Sequence, residues 1–440
     1  MIVPTKNFNE TKYVFHCLLS EFLGYKYEIV SKAEIVNFIL QFGQKEITIR
    51  NNYFAFDDLY TKERIPNSVQ DDTIDIDSLV YPLVSLFGDS AVDIADQGIM
   101  INSDIIASTF FMLTRWEEYV SDKRDDHNRF PLEQSLACKL DFQHRPIVNE
   151  YVDILAALLK SIGYNKPRKE RTYEIVPTHD IDSAYMFTST ISKIRSIGFS
   201  TIKKPSITET RLKLKSLAKN EDPYDTYDYL MDLADKAGVK SHFFFMSGGD
   251  SSYDANYSIE DSRVVDLIKY ITRRKHSIGI HPSYESYNNP SIFYNELETL
   301  RSVCDSNIAT GRQHYLRFSV PHTWQMWDQY DMTWDSTLGY SGTVGFRCGV
   351  CYSYPVYDIE NRKQLALRER PLIVMDVSLV QHENLSVESS ISKVKALQKQ
   401  VMKHNGEFVF LWHNSSFGTD VWKDCTPVLK QLYRLPAKNN

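Results

Sequence analysis

Residues 173–182 read YEIVPTHDID, an apolar run predicting a strand over 173–178 that finishes on Thr178, His179, Asp180, Ile181 and Asp182. Its polar finish then sets ionisable groups at the carboxyl end. The same combination recurs downstream in VKSHFFFM (239–246), SIGIH (277–281), RQHYLRF (312–318), TWDSTL (333–338), LIVMDV (372–377) and EFVFLWH (407–413). The third of these seven strands finishes on His281, and the fourth to seventh on or near Arg317, Asp335, Asp376 and Trp412-His413-Asn414. Amphipathic helices fill the intervals. Asp225 caps one with Leu230, Leu233, Ala234 and Ala237 on a single face and Gly238 as its stop; Ser258 and Asp261 open another before Val264, Leu267, Ile268 and Ile271. Seven strands alternating with helices predict an α/β fold with a parallel sheet, and a share of about 270 residues suits a closed or nearly closed barrel.

Upstream the pattern differs. The polar stretch GYNKPRKER (163–171) reads as a linker, dividing the 440 residues into an N-terminal domain over 1–165 and a barrel over 171–440. The N-terminal part reads as a smaller α+β domain. KEITIRNNYFAF (45–56) alternates as a strand, and Ile105, Ile106, Phe110 and Leu113 recur at helical spacing behind a Ser103 or Asp104 cap. That helix ends in the charged run Arg115–Tyr119, and IVNEYVDILAALLKS (147–161) gives a second one.

A hydrophobic share of 42% is enough to bury large cores, which excludes a disordered or fibrous chain. The net charge of −7 argues against a nucleic-acid partner. Six cysteines are too few to staple so long a chain, so they read as thiols, and Cys348-x-x-Cys351 has no second pair nearby to complete a metal site. No apolar run is long enough to span a bilayer and the first residues lack the features of a signal peptide, so a cytoplasmic location is expected, at the inner membrane face if the basic residues concentrated in 193–219 meet an anionic surface. The same residues could receive a phosphate group on the substrate.

In a parallel barrel the carboxyl ends of the strands converge on one mouth. Asp and His gathered there suit metal-assisted hydrolysis, in which three protein groups hold a divalent ion, a spare carboxylate acts as base and a histidine as acid.

The order THDID (178–182), SHFFFM (241–246), HSIGIHPSYES (276–286), RQHYLRFSVPHTW (312–324), WDSTLGYSGTVGFRCG (334–349) and FLWHN (410–414) resembles the successive motifs of the polysaccharide deacetylases, carbohydrate esterase family 4, over roughly 171–420. The segment DIIASTFFMLTRWEEYVSDKRDDHNR (104–129) resembles the N-terminal domain of the branch encoded with bacterial surface-glycan genes. The resemblance implies a distorted barrel of about seven β/α units and metal-dependent removal of acetyl groups from sugars. It implies Asp180 as general base, Arg317 as the arginine that orients it, and His413 as the catalytic acid, with Asp335 or Asp376 behind it. Asp182, His281 and Glu285 fall where metal ligands are expected, with Asp180 an alternative to Asp182; Ile181 and Glu285 depart from the family's usual ligands. His322, Trp324, Asp335 and Tyr284 would bind substrate. The implied cofactor is a divalent metal, zinc first, with manganese, iron, cobalt or nickel as alternatives, and the implied substrate an acetylated amino sugar in a glycan, nucleotide sugar or lipid-linked intermediate.

Two other readings fit the same residues: a metal-independent hydrolase of C–N or glycosidic bonds on the same barrel, and a non-catalytic glycan-binding or assembly module. His276 reads as structural, and His179, His242 and His314 as core or supporting histidines; His16, His127, His144, His382 and His404 show no partner pattern.

Overall fold

A computed structural model describes residues 1–95, 98–187, 207–219, 221–419 and 421–435. Most of the basic stretch, 193–206, therefore lies outside the described residues, and 207–219 forms a helix.

Strands β1 (Ile2–Pro4), β2 (Val30–Lys32), β3 (Phe38–Phe42), β4 (Lys45–Ile49), β7 (Val92–Ala95) and β8 (Gly98–Ile101) make a mixed sheet in the order β2-β1-β3-β4-β8-β7, and β5 (Gln70–Ile76) pairs with β6 (Leu79–Ser85) as a separate hairpin. The strand expected over 45–56 stops at Ile49. The helix Ile105–Thr114 is buried at all ten positions, where a one-sided stripe was expected; a helix apolar around its whole circumference is a core helix. Asp104 caps it, its carboxylate accepting from the Ala107 N–H. The charged run that follows is buried too. Arg115 bonds both Glu117 and Glu118, and Glu118 also accepts from Arg347 at 3.0 and 2.7 Å, so the ions neutralise one another without water.

The second sheet holds nine strands: β9 (Glu174–Ile181), β10 (His242–Phe245), β11 (Ser277–Ile280), β12 (Thr310–Gly311), β13 (Trp334–Asp335), β14 (Tyr354–Asp358), β15 (Lys363–Glu369), β16 (Val374–Met375) and β17 (Glu407–Leu411). Their order is β14-β15-β13-β12-β11-β10-β9-β17-β16, and every neighbouring pair is parallel except β14 with β15. Helices Tyr227–Ala237, Ser262–Arg273, Pro290–Cys304, His322–Gln329 and Val387–Lys403 occupy the intervals. Asp261 caps the second of these, while the first begins after Thr226 rather than Asp225, with no side-chain capping bond, and ends on left-handed Gly238, φ 69°.

Two sequence expectations are corrected. The antiparallel pair β14–β15 was not anticipated, although β15 alternates buried and exposed residues over Leu365–Glu369. The strand expected over 312–318 stops at Gly311, and Tyr315 and Leu316 are left-handed, φ 58° and 54°, which no ladder accommodates. Gly311 is required where it stands, because a Cβ there would lie 2.0 Å from the Ile280 carbonyl oxygen.

A continuous apolar cluster runs from the first sheet through the second. Polar ties cross it: Tyr13 Oη donates to the Pro355 carbonyl at 2.8 Å, and Arg362 bonds Glu10 at 2.7 and 2.8 Å. Among the described residues no helix is long and apolar enough to cross a membrane.

Candidate active site

Asp180 and Asp182 leave the end of β9 beside His281, the residue after β11. Asp180 is buried and its Oδ1 accepts from Arg312 Nη1 at 2.8 Å. Arg312, the residue after β12, is fully buried and fixed on every side: Nη1 also reaches Thr178 Oγ1 at 2.9 Å, Nε the Ser336 carbonyl at 2.8 Å and Nη2 Ser336 Oγ at 2.9 Å. Such a guanidinium presents a permanent charge in one orientation.

His281 donates from Nδ1 to the Arg312 carbonyl at 2.7 Å, a bond that only the protonated nitrogen can make, so Nε2 is the ring nitrogen that faces the acids. Nε2 lies 3.3 Å from Asp182 Oδ1, and His314 Nε2 lies 3.8 Å from the same oxygen. Asp182, His281 and His314 bring their ligand atoms within 4.8 Å of one another. These distances fit a divalent cation, since ligands about 2.1 Å from a tetrahedral ion lie roughly 3.4 Å apart. Asp182 Oδ1 is buried without a well-aligned hydrogen-bond partner among the described residues, which fits an oxygen able to serve as a cation ligand. Burial raises the Asp182 pKa, but the His281 hydrogen bond and the charges of His413, His314 and His281 outweigh it and hold the carboxyl well below its ordinary range.

His413, two residues beyond β17, faces this group from the other side, Nε2 3.6 Å from Asp182 Oδ2. Its Nδ1 lies 2.9 Å from Asp376 Oδ1, and its backbone N–H donates to Asp376 Oδ2 at 2.8 Å. Burial works against the imidazolium, yet the charge and hydrogen bond of Asp376, with Asp182 and Asp180 behind, push His413 up to about 10. Of the two acids considered for this position, Asp376 is the one in contact.

Asp180, Asp182, His281, His314 and His413 share one cavity of about 330 Å³. The other expected site residues stand elsewhere. Arg317 does not meet Asp180; it donates to the carbonyls of His127 and Tyr284 and lies over the Tyr284 and Tyr287 rings. Glu285 is exposed and 3.7 Å from Arg317, because the chain after His281 turns instead of running as the helix that would bring position i+4 back to the metal cluster. Trp324 is buried and its indole N–H donates to Glu369, so it packs the core instead of offering a face to a sugar. His322 is half-exposed beside Glu360 at 3.5 Å. Tyr284 stands one layer behind the cavity, its hydroxyl 3.0 Å from His127 Nδ1. Sequence reasoning passed over His314 and Arg312, and also His127, Arg129 and His382, all on the cavity wall except Arg312. Glu285→Gln is accordingly expected to leave metal affinity, read by calorimetric titration, at the wild-type value.

Asp335 is fully buried opposite Glu369 on β15, and its Oδ1 accepts from Thr337. Burial lifts Asp335 to about 7, and burial together with Asp335 lifts Glu369 well above its ordinary value. An acid with a raised folded-state pKa binds its proton more tightly when folded, so this stability is present near pH 4 and is lost as pH rises through 7. Asp335→Asn, which keeps a donor toward Glu369 without a proton to lose, is expected to raise the melting temperature by a few degrees at pH 8 and little at pH 5. A loss at pH 8 would contradict a raised pKa at Asp335.

A family model described as "Family of unknown function (DUF7033)" matches residues 1–164. Comparison with curated proteins returns no match. Among solved structures, one from Mycobacterium smegmatis described as a "putative polysaccharide deacetylase" shares 18% identity at a TM-score of 0.38, covering 60% of this chain and 82% of its own. A "probable polysaccharide deacetylase" from Pseudomonas aeruginosa PAO1 shares 12% at 0.37, covering 62% and 89%. A mutant of BA3943, described as a CE4 family pseudoenzyme with restored enzymatic activity, shares 11% at 0.29, covering 59% and 62%. Overlaps of this extent carry no functional argument, which rests on the chain's own residues.

Proposed function

We propose that this chain is a metal-dependent deacetylase that hydrolyses the N-acetyl group of an amino sugar in a glycan, nucleotide sugar or lipid-linked intermediate. The observation that carries the reading is the opposition, across one cavity, of Asp180 with Arg312 and of His413 with Asp376, with Asp182, His281 and His314 between them. We read the protein as two units, 1–165 and 171–440, a division supported by the family match over 1–164. The second unit reads as a distorted seven-staved barrel: β17 returns beside β9, and β15 and β16, four residues apart, form one bent stave running from β13 to β17.

A divalent cation held by Asp182, His281 and His314 would lower the pKa of bound water and polarise the acetyl carbonyl. Zinc suits the nitrogen and oxygen donors, as do manganese, iron, cobalt and nickel. Asp180 has one oxygen held by Arg312, and its other oxygen remains to take the proton of the attacking water. Asp376 favours the imidazolium form of His413 and leaves Nε2 turned to the cavity, from which the departing amine would receive its proton. Water and the amide thereby give acetic acid and the free amine, with one proton of the water left on Asp180 and the His413 proton on the amine; the acetic acid then ionises to acetate by releasing its own proton to solvent.

Acetate release from N-acetylglucosamine oligomers, measured before and after chelation and again after zinc is restored, tests the reading. Release that stops on chelation and returns with zinc is expected. Full release from a metal-free sample would sink the metal-dependent mechanism, and none from any acetylated amino sugar would sink the activity.

A further inference from the structure

Residues 125–129 fall within the N-terminal family match, yet His127 and Arg129 stand on the cavity wall beside His314. His281 is oriented from behind by a 2.7 Å bond to the Arg312 carbonyl, whereas His314 has a looser support, its Nδ1 3.6 Å from Asp254 Oδ1. Its ring direction therefore depends on the backbone that carries it. That backbone is the turn after β12, in which Tyr315 and Leu316 are both left-handed, φ 58° and 54°. Two successive side-chain-bearing residues in that region persist only where the surroundings hold them.

The hold comes from the N-terminal segment. Arg129 Nη1 donates to the Tyr315 carbonyl at 3.0 Å, the His127 and Tyr315 rings lie 4.6 Å apart, and Arg317 Nε donates back to the His127 carbonyl at 3.0 Å. Asp125 stiffens the segment. Its Oδ2 accepts from Arg129 Nε at 2.8 Å, and its Oδ1 accepts the backbone N–H groups of His127 and Arg129, both at 2.9 Å.

We propose that Asp125–Arg129 is a clamp that sets the 313–317 turn, with Arg129 as the positioning residue, so that the N-terminal unit completes the metal site by fixing His314. The metal part of this inference rests on the function proposed above; the clamp itself does not.

Full-length wild-type, Arg129→Ala and Arg129→Lys proteins would be compared by hydrogen exchange of the 312–318 peptide without metal, and by Co²⁺ titration followed through its visible absorption. The alanine variant is expected to lose protection at the Leu316 and Arg317 amides, to bind Co²⁺ about 10- to 100-fold more weakly, and to show an altered Co²⁺ spectrum while its melting transition stays cooperative. Lysine, which keeps a donor near the Tyr315 carbonyl, is expected to recover part of each, and carries the comparison if the alanine variant does not fold. Wild-type exchange in both variants overturns the clamp. Lost protection with unchanged Co²⁺ affinity and spectrum overturns its role in placing His314. A wild-type chain that binds no Co²⁺ removes the metal reading and the role in the metal site, while exchange still decides the clamp.

Discussion

Asp180→Asn is expected to lower kcat for acetate release by about 10²- to 10⁴-fold, the usual contribution of a general base, with a much smaller change in KM. The amide keeps the size of the carboxylate and can still accept from Arg312, so the cavity retains its shape while the proton acceptor is gone. The substitution has a second consequence. Arg312 is fully buried and Asp180 is the carboxylate it bonds, so neutralising the acid leaves a guanidinium charge in the interior, a loss that typically costs about 3–5 kcal/mol. Slow turnover and a lowered melting temperature should therefore appear together. Turnover within tenfold of wild type would remove Asp180 from the base role.

His413→Ala is expected to cost about 10²- to 10⁴-fold in kcat as well, because the amine then leaves without a proton donor. Asp376→Asn separates the acid's presence from its tuning. His413 is raised from the ordinary histidine value to about 10 chiefly by Asp376, so removing that charge should lower its pKa. The acid must be protonated to act. The alkaline limb of the rate profile should therefore move to lower pH in Asp376→Asn, with the acidic limb little changed. The stability linkage has the same origin. A histidine with a raised folded-state pKa stabilises the fold fully below about 6.5 and loses that contribution as pH rises toward 10, so Asp376→Asn should be most destabilised on the acid side. An unmoved alkaline limb would show that another group supplies the proton.

Much of this site was legible because apolar strands ending in acids and histidines declare a shared mouth: THDID, SIGIH and FLWH put Asp180, Asp182, His281 and His413 at the ends of β9, β11 and β17, with only β10 between them in the sheet. The errors cluster in RQHYLRF, where the assumed strand was too long. Read to Phe318, it made Arg317 the residue at the mouth and turned His314 inward. With the strand stopping at Gly311, Arg312 takes that place and His314 follows in the turn. The close approach of Gly311 to β11 was the available signal, but a lone glycine does not reveal what its absent Cβ would have met. Glu285 misled for a related reason, since a spacing of four implies a shared face only on a helix. Trp324 and Trp327 sit three apart on the buried face of the helix His322–Gln329, a periodicity that pointed to core packing. Nothing local in the sequence links His127 or Arg129 to a turn nearly two hundred residues away; that contact exists only through the packing of the two sheets' surroundings.

The most direct measurement is anomalous scattering at the zinc edge from crystals of the full chain grown with zinc. The account predicts one strong peak bonded by Asp182, His281 Nε2 and His314 Nε2, with Glu285 remote from it. A peak coordinated by Glu285 in place of His314, or a cavity without zinc in crystals whose protein still releases acetate, would contradict it.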